Sequence, residues 1–115
     1  MIEITEECRE KKYIVVMVND WKKCKYASSL MQFIREEYKE ELCSVFLDLK
    51  KVEFINSTFI NALVVCYKEL EKSHVQLYLL NVNDFVARTL KVTGLESVLK
   101  SFDSKNEALK SIGKC

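Results

Sequence analysis

The chain is 115 residues long, with 49 % apolar and 30 % charged residues, which suits one packed domain over residues 1–115 with a solvated surface. Lysine and arginine number 18 against 17 acidic residues, a net charge of +1, which excludes a strongly basic nucleic-acid binder. No apolar run approaches the roughly 20 residues that span a bilayer, and Met1-Ile2-Glu3-Ile4 is no export leader; the expectation is a cytoplasmic protein with no membrane insertion.

In chain order, the alternating Ile2 and Ile4 predict an edge strand, and the run Tyr13-Ile14-Val15-Val16-Met17-Val18 a covered one. Trp21-Lys22-Lys23-Cys24-Lys25-Tyr26 is a basic, aromatic loop. Ala27, Leu30, Met31, Ile34 and Tyr38 form one helical stripe, with Arg35, Glu36, Lys39 and Glu40 opposite. A strand follows over 45–49, then a helix with Ile60, Leu63, Val64, Tyr67 and Leu70 at helical spacing. Residues 75–80 predict another strand. Phe85, Val86 and Leu90 mark a helix that Gly94 ends as a left-handed cap. Val98 to Phe102 is a weaker strand, and Ser104 with Glu107 is a capping box opening a last helix through Ile112. Strands alternating with helices in this order predict an α/β fold, a mixed or parallel sheet packed with about four helices.

The five cysteines, Cys8, Cys24, Cys43, Cys66 and Cys115, are widely spaced and contain no C-x-x-C. They are expected to be reduced thiols, with no metal site. Cys66 falls within an apolar helix and reads as a core or boundary residue. His74, the only histidine, falls in a loop and reads as a solvated turn residue, so no catalytic pair is expected and the chain is not expected to be an enzyme. Glu36-Glu37 and Glu40-Glu41 read as a solvated helix face. There is no Gly-rich phosphate loop, and no cofactor is expected. The Trp21–Tyr26 segment reads as a solvated loop toward nucleic acid, and as the rim of a protein-docking surface.

Asn56, Ser57 and Thr58 stand where a turn meets a helix, and all three are good N-cap residues. Two roles are open: a cap and nothing more, or an exposed regulatory hydroxyl at Ser57. Phe59 also has two: an exposed anchor for a partner, or a ring folded back onto the sheet. Asn56-Ser57-Thr58 spells a glycosylation sequon, which is expected to be accidental because no export signal is expected.

Residues 45–63, Val-Phe-Leu-Asp-Leu-Lys-Lys-Val-Glu-Phe-Ile-Asn-Ser-Thr-Phe-Ile-Asn-Ala-Leu, resemble the core signature of the STAS domain, the family of bacterial anti-sigma factor antagonists. That signature is a strand ending in Asp-Leu, a turn with Phe-Ile, then Asp-Ser-Ser-Gly-Leu-Gly opening a helix. Thr93-Gly94-Leu95, Phe102 and Asn106-Glu107-Ala108-Leu109 are similar to later family elements, so the likeness runs from about residue 13 to 112. The resemblance implies a module that binds an anti-sigma factor acting as a serine kinase. It also implies phosphorylation at Ser57, with Thr58 as the alternative, which releases that partner. Asn56, Ser57, Thr58, Phe59 and Asn61, with Trp21 and Lys22 beside them, would form the partner-binding surface, with no direct nucleic-acid contact. The sequence departs from the pattern at Asn56, where the family has Asp, and at Phe59 and Asn61, where it has glycines. Asn19-Asp20-Trp21-Lys22 also replaces the usual Gly-Glu-Leu-Asp. Asn56 and Phe59 motivate an alternative, a diverged STAS subunit that docks constitutively in a signalling scaffold or a transporter-associated complex.

The switch is physically sufficient. A phosphate adds roughly −1.5 to −2 charges, which the positive end of a helix tolerates. A partner packed over it would meet desolvation and repulsion, and a loss of about 3 kcal/mol weakens binding about a hundredfold.

Overall fold

The structure, a computed structural model, describes residues 3–8, 10, 12–18, 26–38, 42–53 and 55–112. Five strands form one sheet in the order β1-β2-β3-β4-β5: Glu3–Cys8, Tyr13–Met17, Ser44–Asp48, Gln76–Leu80 and Lys100–Phe102. β1 runs antiparallel to β2, and the other pairs are parallel. The helices are α1 (Tyr26–Tyr38), α2 (Ser57–Lys72), α3 (Asp84–Thr93) and α4 (Lys105–Ile112).

Successive crossovers step to the next strand in the same direction. Connections of one hand therefore place α1, α2 and α3 on the same face of the sheet. Ile14, Val16, Val45, Leu47, Leu77 and Leu79 point to that face and join Leu30, Ile34, Leu63 and Leu90 in the main core. The alternate residues Tyr13, Val15, Phe46 and Leu80 point the other way and meet Ala108 of α4. A row of rings crosses this second face: Tyr13 to Phe46 at 5.6 Å, Phe46 to Tyr78 at 5.4 Å, and Tyr78 to Phe102 at 5.8 Å between centroids. The central strands bury both faces, which is why they read as continuous apolar runs.

Lys105, the first residue of α4, forms an ion pair with Glu6 of β1. The Tyr13 hydroxyl donates to the other oxygen of the same carboxylate at 2.5 Å. Gly94 adopts φ 79° and ends α3 as expected, and the Ser104 hydroxyl accepts the Glu107 N–H at 3.2 Å. The expected strand 98–102 is shorter, because a 3-10 turn over Leu95–Ser97, followed by Val98 in a helical conformation, delays its start to Lys100. Cys8 and Cys66 are free thiols, but Cys43 is disulfide-bonded, which corrects the expectation of five reduced cysteines: spacing along a chain does not measure spacing in a fold.

Candidate functional site

β3 and β4 are parallel neighbours, so the helices that follow them, α2 and α3, start at the same end of the sheet. The turn between β3 and α2 is held from beneath. Asp48, 9 % exposed, closes β3, and its Oδ1 accepts both the Lys50 N–H and the Asn81 side-chain amide at 3.0 Å. The Leu49 N–H donates to Leu80 at 2.9 Å, and the Val52 N–H donates back to Leu49 at 2.9 Å. Leu49, Val52 and Ile55 are buried and pin the turn to the core. Lys50, Lys51 and Glu53 are left in solvent.

Asn56 is the residue that caps α2. Its backbone is extended (φ −131°, ψ −176°) and its Oδ1 accepts the Phe59 N–H at 3.1 Å. Its carbonyl accepts the Ile60 N–H at 3.0 Å. Ser57 and Thr58 then occupy the first two helical positions, both exposed. Among the described residues their hydroxyls have no hydrogen-bond partner, since Asn56 already performs the capping. No acidic side chain lies in the first turn of α2, so the positive end of this helix of 16 residues is not neutralised from within.

Asn61 is also exposed. Phe59 is not: it is 2 % exposed and lies on the inward stripe of α2 with Leu63, Cys66 and Leu70. Its expected place on a partner-binding surface is therefore corrected. At the third helical position the side chain falls one and two turns before Leu63 and Cys66, and the stripe carries it onto the sheet. Among the described residues an exposed ring at this end of the molecule is Phe85, in the first turn of α3 and 52 % exposed. Trp21 and Lys22 lie outside the described residues.

Sequence reasoning missed three supports of this turn: Asp48, Asn81 and Asn83. Asn81 sits at φ 57°, a left-handed conformation that asparagine tolerates. Asn83 caps α3 through Oδ1, which accepts the Val86 N–H at 2.8 Å. Its Nδ2 donates to the carbonyls of Val52 at 3.2 Å and Glu53 at 2.9 Å. An asparagine before a helix is a cap signal, but nothing local announces the cross-link to residues 52 and 53.

Cys66 and His74 are not brought together as a nucleophile and base. Burial pushes the Cys66 thiol up to about 12, while His74 is in an exposed turn at φ 60°. A groove of about 630 Å³ between α1 and α2 is floored by Met31, Ile34, Leu42, Leu70 and Val75 and contains neither residue. Among the described residues no three metal-ligating side chains gather, and no helix is long and apolar enough to cross a membrane.

The STAS domain model matches residues 3–108; the chain belongs to the STAS domain family. Its fold is similar to that of the Thermotoga maritima protein TM1081 (TM-score 0.79, 23 % identity, covering 96 % of this chain and 87 % of that one). The anti-sigma factor antagonist SpoIIAA, in its unphosphorylated form, superposes with a TM-score of 0.71 at 13 % identity, over 97 % and 96 % of the two chains. The murine anion transporter Slc26a9 contains a similar unit (TM-score 0.70, 19 % identity), matching 91 % of this chain and 18 % of the transporter. At these identities the likeness is one of fold. No protein of curated function matches the sequence.

Proposed function

We propose that this STAS domain is an anti-sigma factor antagonist: a protein-interaction module that binds an anti-sigma factor acting as a serine kinase and is released when Ser57 is phosphorylated. The domain is the substrate and not the enzyme. One observation carries the proposal. The Ser57 hydroxyl is exposed and uncommitted at the first position of α2, because the neighbouring Asn56 supplies the cap. In the transfer, Ser57 Oγ attacks the terminal phosphorus of ATP held by the kinase. The Oγ–P bond forms, the bond to ADP breaks, and the hydroxyl proton passes to a base on the kinase. The product is a dianion at a helix start, where it is tolerated by the fold and unwelcome to a packed partner. The neutral Asn56 beside it adds no repulsion to that charge.

Incubation with ATP and a kinase encoded beside this chain, read by intact mass, should add one phosphate. Ser57→Ala should abolish the addition and Thr58→Ala should not. A phosphate that persists in Ser57→Ala and disappears in Thr58→Ala moves the acceptor by one residue. No addition to the wild-type chain rejects the switch.

A second reading is favoured by the likeness to a unit inside an anion transporter. There the domain docks constitutively, and Ser57→Asp leaves partner affinity unchanged, whereas the switch requires that substitution to weaken binding.

A further inference from the structure

Asn83 makes more contacts than a helix cap requires. Its Oδ1 accepts the Val86 N–H at 2.8 Å and so starts α3. Its amide nitrogen donates to Val52 O at 3.2 Å and Glu53 O at 2.9 Å. Those carbonyls belong to the turn that runs on through Ile55 to Asn56, the cap of α2. We infer that Asn83 is a positioning residue for Ser57: one side chain fixes both the start of α3 and the turn that delivers Ser57 to the start of α2. The significance of Ser57 rests on the proposed function; the clasp itself does not.

The exposed Ser57 and Thr58 open α2 and the exposed Phe85 lies in the first turn of α3, and the Asn83 side chain adds to the Asp48–Asn81 lock a second tie between these two helix starts. The chemistry suits this task. A primary amide carries two N–H donors and an acceptor oxygen on one planar group, and Asn83 uses both donors and the acceptor at once. Aspartate would keep the acceptor and cap α3 as well as asparagine does. It has no donor, and it would turn lone pairs toward the two carbonyls.

That difference separates positioning from plain support, by amide hydrogen exchange on the isolated chain. The Val52 N–H, bound to Leu49, reports the turn; the Val86 N–H reports the start of α3; the Leu49 N–H, bound to Leu80, reports the sheet. In Asn83→Asp, exchange at Val52 should rise by about tenfold or more, while Val86 and Leu49 stay within about twofold of wild type. Asn83→Ser, which keeps a cap oxygen without adding charge, should show the same division. Asn83→Ala should release Val52 and Val86 together. Unchanged exchange at Val52 in Asn83→Asp, or an equal rise at all three amides, overturns the inference. With the kinase, Asn83→Asp should raise KM for Ser57 phosphorylation and leave kcat unchanged. A wild-type chain that takes no phosphate defeats the proposed function, and the exchange pattern still decides the role of Asn83.

Discussion

Asp48 and Asn81, 33 residues apart in sequence, meet at 3.0 Å where two parallel strands end, the asparagine amide donating to the carboxylate. The same carboxylate oxygen receives the Lys50 N–H. Asp48 thus locks the exit of β3 to the exit of β4, and the turn toward Ser57 is built on that lock. Asp48→Ala leaves two donors without their acceptor at a site 9 % exposed, and should cost about 1–3 kcal/mol in urea unfolding. Asn81→Ala should cost more than Asn81→Gly, by about 1 kcal/mol, because only the alanine is strained at φ 57°. Equal costs for the two would show that the backbone conformation is not what selects asparagine.

Phe59 and Phe85 should behave oppositely on substitution. Phe59→Ala empties a buried site and should destabilise by about 3–5 kcal/mol. Phe85→Ala removes an exposed ring and should stay within about 0.5 kcal/mol. Chemical unfolding of both variants checks the pair. A mild Phe59 variant would mean that its ring is not in the core.

How far these features were legible depends on whether they are local. The runs at 13–18 and 45–49 read as strands, each within one residue of the observed β2 and β3, because both faces are covered. Gly94 and the Ser104–Glu107 pair read as caps because cap chemistry is confined to a few neighbouring residues. The STAS likeness was legible from residues 45–63 because an Asp-Leu strand end, a short turn and a polar helix start follow one another without a gap. What was not legible is relational. Asn56, Ser57 and Thr58 are interchangeable as cap candidates until the helix phase is known, and that same phase decided the direction of Phe59. The 3-10 turn at Leu95–Ser97 is too short to show a period. The grip of Asn83 on residues 52 and 53 joins positions about 30 apart, and no local pattern carries it.

Across pH, the Glu6–Tyr13–Lys105 cluster makes two signed predictions. The hydrogen bond from Lys105, and then that from Tyr13, holds the Glu6 carboxyl below the usual carboxylate range. Its contribution to stability is therefore present above the unfolded carboxylate pKa and lost as pH falls through the lower folded value. The bond to Glu6, and then burial, pushes the Tyr13 phenol from 10.0 up to about 12. Its contribution is present below pH 10.0 and lost as pH rises from there toward about 12. Urea unfolding across both ranges, with Tyr13→Phe as the reference for phenolate absorbance, reads these windows. Glu6→Gln should bring the Tyr13 titration back toward its ordinary value; an unmoved titration would mean that burial alone sets it.

The central claim is that a negative charge at Ser57 sits on the surface of an intact domain. Thermal unfolding of Ser57→Asp and Ser57→Glu beside wild type tests it most directly. A carboxylate at the first position of a helix is worth about 0.3–1 kcal/mol in its favour, so both variants should melt within about 4 °C of wild type, or above it. A fall of more than about 10 °C in both would show that the hydroxyl is part of the fold, and a phosphate there would unfold the domain rather than switch it.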